Sequence, residues 1–186
     1  MQRKLKKKGV DLLSFFGNND YENRFKEFVS MLISKIELSA IYQTYPINDA
    51  IEIIRSREFN PDEKTEYTTI SILTAGSKID EFMNLKDDIE KNISETIIDV
   101  YLTTARNTVI EIIDEEAKKD NYIITKPFFI YSPFDVDNTI IYEGDLSHLL
   151  KEIDSKKISI ELSDLKIQPY FTEIFFLNWI YKKTKR

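Results

Sequence analysis

Hydrophobic positions in the first half of the chain follow the three- and four-residue spacing of amphipathic helices. The clearest series predicts a helix from Asp20 to Gln43, ended by Pro46. Its apolar face consists of Phe25, Phe28, Val29, Leu32, Ile33, Ile36, Ala40 and Ile41. A second, shorter helix is predicted directly after Pro46, with Ile47, Ile51 and Ile54 on one face.

The middle of the chain changes from a strand pattern to a very long helical one. Residues 65–74 are rich in β-branched side chains and predict a strand. From Ile79 to about Lys119, apolar residues then recur at helical spacing. A helix of that length usually bends or breaks, and the weak helix formers between Thr103 and Thr108 are the predicted position of the break.

The C-terminal half alternates between short strands and helices. Strands are predicted over 122–131, 139–142 and 157–162, a short helix after Gly144, and a last helix from Pro169. Together these elements predict an α+β fold that is dominated by helices. Its expected features are a long central helix and a small antiparallel β-sheet, mainly from the C-terminal half.

The predicted last helix is apolar on more than one face. Phe175 and Phe176 are adjacent, and so are Trp179 and Ile180. A helix that is apolar all round is buried on all sides, either by its own domain or by a partner. Aromatic side chains are also enriched at protein interfaces. We therefore predict that these four residues bind a partner, which would be another protein or a second copy of the chain.

The composition excludes several classes of protein. The chain has 186 residues, 42% of them hydrophobic, with only four Gly and five Pro, so it is neither disordered nor collagen-like. It has no apolar run long enough to span a membrane, and we expect no membrane association. Without Cys it has no disulfide and no thiolate metal site. The single histidine, His148, excludes paired-histidine metal sites and is expected to pair with carboxylates.

The charge is distributed unevenly along the chain. The net charge is −6, but both ends are basic, and subtracting their nine positive charges leaves −15 for residues 9–181. The basic residues of the ends are Arg3, Lys4, Lys6, Lys7, Lys8, Lys182, Lys183, Lys185 and Arg186. They predict a basic arm over 1–17, a single domain over 18–181 and a basic tail over 182–186. Such arms attract polyanions, including nucleic acid, or simply keep the protein in solution.

One acidic segment has a pattern that suggests chemistry. The order Asp135-Val136-Asp137-Asn138-Thr139 resembles the first motif of haloacid dehalogenase-type phosphatases, Asp-x-Asp-x-Thr. The resemblance implies a nucleophilic Asp135, an acid/base Asp137 and a bound Mg²⁺. Only 45 residues follow Ile141, however, which is too few for the rest of that fold. Two other interpretations are a hairpin turn and a weak divalent-cation site formed by Asp135, Asp137, Glu143 and Asp145.

These patterns leave three hypotheses for the function. The first is a non-enzymatic interaction subunit of a larger assembly, including one with nucleic acid such as a virion or its connector. The second is a small acidic inhibitor or immunity-type protein that covers a basic site on its partner. The third is a metal-dependent hydrolase that uses Asp135 and Asp137. No complete catalytic constellation occurs, so we expect no enzyme and no cofactor, and a cytoplasmic or virion-associated location.

Overall fold

Helices and short strands alternate along residues 21–85 and 87–182, which the computed structural model describes. The helices are α1 (Tyr21–Lys35), α2 (Ile47–Ile54), α3 (Asp88–Lys119) and α4 (Leu146–Glu152), with 3₁₀ helices at Ser77–Asn84 and Ser155–Ile158. The strands are β1 (Ser39–Pro46), β2 (Thr65–Thr74), β3 (Tyr122–Ile124), β4 (Phe128–Tyr131), β5 (Glu161–Ser163), β6 (Lys166–Gln168) and β7 (Thr172–Tyr181). The predicted α+β class and the long helix are both confirmed.

The strands form one antiparallel sheet and one hairpin. The sheet has the order β1-β2-β7-β3, and β4 also pairs with β7. Strand β7 is therefore the centre, with Ile70 opposite Phe176 on one side and Phe128 opposite Phe176 on the other. The hairpin consists of β5 and β6. Since β2 and β7 each have ten residues, their pairing is the longest contact in the fold.

Strand β7 is buried on both faces because the sheet lies between two layers. On one face, Phe175, Leu177 and Trp179 pack in a core with the apolar sides of α1 and α3. On the other face, Ile174 and Phe176 pack in a second core with α2 and α4. Side chains alternate between the faces of a strand, so a central strand covered on both sides must be apolar at nearly every position.

The helix α3 runs unbroken for 32 residues. Asp87 caps its start, since its carboxylate accepts hydrogen bonds from the backbone N–H groups of Ile89 and Glu90. The predicted break between Thr103 and Thr108 is wrong; the series that begins at Ile79 is instead divided into a 3₁₀ helix that ends at Asn84 and α3, which begins at Asp88. Thr104 and Thr108 lie within the helix, and each donates its hydroxyl to the backbone carbonyl four residues earlier, which satisfies both side chains.

Two predicted helices are wrong in part or altogether. The first ends at Lys35, not at Gln43, because residues 39–46 pair along their whole length with β2. The helix predicted from Pro169 is the strand β7. In both cases ladder hydrogen bonds and burial on a sheet outweigh a hydrophobic spacing that also fits a helix.

The remaining predictions have mixed outcomes. The strand over 65–74 and the short helices after Pro46 and Gly144 are confirmed. The strand over 122–131 is divided into β3 and β4, and 139–142 contributes only a bridge from Thr139 to Phe129. The strand over 157–162 is partly a 3₁₀ helix. Within the described part of the chain, no helix combines the length and apolar character needed to cross a membrane.

Candidate functional site

The four residues predicted to bind a partner lie in the central strand. Phe175 and Phe176 point into the two opposite cores and are at most 1% exposed, while Trp179 is 7% exposed. Ile180 lies opposite Ile123 near the end of the strand. The layers of this chain therefore explain why the segment is so apolar. The helix that suggested a partner does not exist here.

The acidic residues of 135–145 differ in their contacts. Asp145 caps α4 by accepting the backbone N–H of Ser147 at 2.9 Å, and Glu143 pairs with Arg57 at 3.5 Å. Asp135 and Asp137 line a surface cleft. Over residues 21–85 and 87–182 no three His, Asp or Glu side chains are placed to share a metal ion. The four predicted ligands are thus not brought together.

The other residues with predicted roles lie at the surface or outside the described residues. His148 Nδ1 lies 3.8 Å from Glu152 Oε1 on α4, which fits a histidine paired with a carboxylate. Of the basic ends, only Lys182 is described, and its backbone N–H donates to the carbonyl of Asn121 at 2.9 Å. The other eight basic residues, Arg3, Lys4, Lys6, Lys7, Lys8, Lys183, Lys185 and Arg186, lie outside the described residues.

An ion pair lies below the cleft that contains Asp135 and Asp137. Nη1 of Arg106, on α3, is 2.8 Å from both carboxylate oxygens of Glu173, on β7. The guanidinium also lies 5.0 Å from the centre of the Phe129 ring. Burial raises the pKa of Glu173, although Arg106 and Ser132 act in the opposite direction. The pair fixes α3 to the central strand.

The cleft above this pair is polar and has charges of both signs. It encloses about 540 Å³ and is lined by Asp99, Thr103, Arg106, Asn107, Ile110, Lys126, Pro127, Phe129, Asp135, Val136, Asp137 and Asn138. Because Glu173 neutralises Arg106, the remaining charged residues of the lining are three carboxylates and one lysine. This balance disfavours an anionic ligand such as a phosphate ester, which the phosphatase resemblance would require.

The edge of β1 is the second surface feature with a potential role. Strand β1 is the end of the sheet and pairs only with β2, so across the described residues its outer edge has no strand beside it. It spans eight residues, or about 26 Å. Natural sheets usually protect such an edge with lysine, proline or a bulge. Here no charged residue occurs from Leu38 to Asn48, in a chain with 31% charged residues.

Sequence reasoning missed this edge because residues 39–43 were assigned to a helix. The available signal was the uncharged run from Leu38 to Asn48, in which Ile41, Tyr42, Thr44 and Tyr45 all favour strands. Reading that run as a strand would also have placed the helix end correctly at Lys35.

Comparison with known proteins gives no information about the function of this chain. Neither the models of known protein families nor the curated protein sequences match this chain. The uncharged edge of β1 and the polar cleft are the two surface features of the described residues that could have a role. Of the two, the edge has the clearer consequence, because unpaired backbone groups in a row attract another strand.

Proposed function

We propose that the chain is a non-enzymatic interaction subunit that assembles by adding a strand to the outer edge of β1. The observation that carries the proposal is the eight-residue edge strand without a charge or an internal proline. Strand addition to such an edge is a common way in which proteins bind extended segments, because the backbone supplies a row of hydrogen bonds.

The partner that fits this edge is a second copy of the chain. Two identical edge strands pair antiparallel about a two-fold axis, so each contact between two different residues occurs twice. Like charges opposite each other would oppose such pairing, but β1 carries none. The result would be one continuous sheet across two subunits, which is a suitable building unit for a larger assembly.

Electrostatics give this dimer a characteristic salt dependence. The described residues carry 30 acidic and 17 basic side chains, a net charge of −13. Two such bodies repel each other at a distance, while the neutral edges form the contact. Added salt screens the repulsion, and we expect it to strengthen association.

Amide hydrogen exchange at several protein concentrations tests the proposal directly. In β1, the amides that face β2 are protected in the monomer, whereas the amides that face outward exchange quickly. Dimerisation should slow the outward amides as the concentration rises and leave the inward ones unchanged. Exchange of all β1 amides that is independent of concentration, together with a monomer by light scattering, would overturn the proposal.

A matched pair of variants separates the edge from charge in general. Ala40→Lys with Gln43→Lys places a charge on each face of the strand, at two exposed positions. Thr104→Lys with Thr108→Lys makes the same charge change at exposed positions of α3. The edge variant should remain monomeric and the helix variant should associate like the wild type. Equal association of both variants would place the contact elsewhere.

The net negative charge of the described residues favours a second candidate, an inhibitor or immunity-type protein for a basic partner. The exposed side of the second half of α3 presents Glu111 and Glu115, and the described residues are strongly negative overall. A basic partner would be attracted at long range, and its association would weaken as salt rises. The two candidates therefore predict opposite responses to ionic strength. Nucleic acid in the assembly would be contacted through the basic ends.

A further inference from the structure

Four aromatic rings gather where the C-terminal end of α3 meets the sheet. Tyr67, Tyr122 and Trp179 lie within 6.2 Å of one another between ring centres, at angles of 55° to 86°. Tyr181 continues the group at 5.5 Å from Tyr122. Because the ring planes are steeply inclined to one another, the ring faces point in several directions.

A cleft of about 610 Å³ opens against three of these rings. It is lined by Thr44, Tyr67, Lys119, Asp120, Asn121, Tyr122 and Trp179. We call this site the aromatic cleft. Most of its lining is exposed, but Trp179 is nearly buried and forms the floor.

The polar groups of Tyr122 and Trp179 are engaged by other residues of the protein. The indole N–H of Trp179 donates to the hydroxyl of Thr69 at 2.8 Å, and that hydroxyl lies 2.8 Å from the hydroxyl of Thr44. The hydroxyl of Tyr122 donates to Glu66. That bond is the main reason why the pKa of Tyr122 is raised to about 12.

The electrostatic environment of the aromatic cleft favours a cation. The faces of aromatic rings are negative and attract ammonium groups. The lining includes Lys119, which ends α3, and the following residues Asp120 and Asn121, and a helix C-terminus carries a partial negative charge. The Asp120 carboxylate adds a full charge, and Glu66 lies beside Tyr122. The opposing charge in the lining is Lys119.

We propose that the aromatic cleft binds an alkylated ammonium group, with Tyr67 and Tyr122 as walls, Trp179 as the floor, and Asp120 and the end of α3 as the counter-charge. A methylated ammonium suits this site better than a primary one, because it loses less hydration when it moves against apolar rings. The group could belong to a small molecule such as choline or to a methylated lysine in a peptide. Both share the chemistry that the cleft would recognise.

The single tryptophan of the chain provides the measurement, because it is the floor of the site. Titration of the full chain with tetramethylammonium chloride should change the fluorescence of Trp179 with a saturating curve. Choline and a trimethyllysine peptide should bind as well, and the tighter of the two identifies the source. The neutral isostere 3,3-dimethylbutanol, which has the shape of choline without its charge, should bind much more weakly. Equal binding of the isostere, or no saturable signal with any ammonium probe, would overturn the proposal.

Variants of exposed residues separate the ring from its hydroxyl and test the charge. Tyr67→Phe keeps the aromatic face and should bind like the wild type, whereas Tyr67→Leu should weaken binding about threefold to fivefold. Lys119→Gln removes the opposing charge and should strengthen binding, while Asp120→Asn should weaken it. Thermal melting checks that each variant folds. Binding by Tyr67→Leu that equals the wild type would contradict the aromatic mechanism, and unchanged affinity in both charge variants would contradict the electrostatic one.

Discussion

Arg106 holds Glu173 from one side only, through a single nitrogen that lies 2.8 Å from each carboxylate oxygen. The carboxylate sits on the central strand and is 1% exposed, whereas the guanidinium is 13% exposed and borders the polar cleft. The two ends of this pair are therefore unequal. If the pair is broken, the arginine can turn toward water, but the glutamate cannot.

That asymmetry predicts different costs for removing each partner. Arg106→Gln leaves a buried, uncompensated carboxylate and should lower the free energy of unfolding by roughly 3 kcal/mol or more. Glu173→Gln should cost less, about 1–2 kcal/mol, because Arg106 can reorient into the cleft. Denaturant unfolding of both variants and of the double variant Arg106→Met with Glu173→Leu measures this. The double variant should recover most of the loss, and a loss equal to the sum of the single variants would contradict the argument.

The same glutamate predicts a pH dependence of stability. Burial raises the pKa of Glu173 above its ordinary value of 4.5, so the folded state binds this proton more tightly than the unfolded state. The unfolding free energy of the wild type should therefore fall, relative to Glu173→Gln, as pH rises from about 4.5 through the folded-state pKa. The stabilisation that the proton on Glu173 provides is fully present only below pH 4.5, the ordinary pKa of the group. Stability curves of the two proteins that stay parallel between pH 4 and 8, or diverge in the opposite sense, would show that burial does not dominate.

The acidic segment should separate into residues with and without a structural role. Asp145→Ala removes the cap of α4 and should cost about 1 kcal/mol. Asp135→Asn changes an exposed residue of the polar cleft and should alter stability by less than about 0.5 kcal/mol. Thermal melting measures both. Loss of a phosphatase activity in Asp135→Asn, with the fold retained, would instead support the hydrolase hypothesis.

The turn between β5 and β6 predicts a stabilising substitution. Asp164 and Leu165 both have positive φ values, of 49° and 62°, and the Leu165 side chain is 90% exposed. A leucine in this conformation is strained, and a two-residue turn of this kind prefers Asp-Gly. Leu165→Gly should raise the unfolding free energy by about 0.5–1 kcal/mol. Leu165→Ala keeps the backbone strain and is the control; an equal gain in both variants would show that exposure of the leucine, not strain, is the cause.

The basic ends should contribute to polyanion binding and little to folding. A chain without residues 1–8 and 183–186 keeps Lys182, whose backbone bond to Asn121 closes the edge of the sheet. Its melting temperature should match that of the full chain. Binding to a nucleic acid should weaken, and the slope of log K against log salt should flatten by about 0.9 for each lost phosphate contact. Unchanged affinity and slope would mark the ends as solubilising tails.

Secondary structure was predicted correctly from the sequence where the hydrophobic pattern fits only a helix or only a strand. The prediction was wrong where the pattern fits both. Residues 65–74 are too rich in β-branched side chains for a helix, and the strand was placed correctly. Residues 172–181 include four apolar positions in a row, Ile174 to Leu177, and Trp179 and Ile180 follow after Asn178. That density is typical of a strand between two layers, but it also fits a buried helix. Only the pairing of β7 with β2, β3 and β4 decides between them.

The ion pair and the aromatic cleft are formed by contacts between residues far apart in the chain, which no local sequence pattern predicts. Arg106 and Glu173 are 67 residues apart, and nothing near either one indicates the other. Tyr67 and Trp179 meet because β2 and β7 pair in a register that places them opposite each other. The basic ends and the acidic body were visible at once, because charge is additive along the sequence. Whether a partner binds these charges cannot be read from the sequence in the same way, since binding depends on which surfaces the fold brings together.

The position of β7 in the chain has a consequence for synthesis. Every strand that it pairs with, β2, β3 and β4, leaves the ribosome before it does. Until residues 172–181 emerge, β2 has β1 as its partner but lacks the neighbour that covers its other edge. In the nascent chain both cores therefore lack the side chains of β7 and are exposed to chaperones and proteases. Completing the cores requires contacts between residues about a hundred positions apart, which form slowly. A chain truncated before Thr172 should be degraded rather than accumulate.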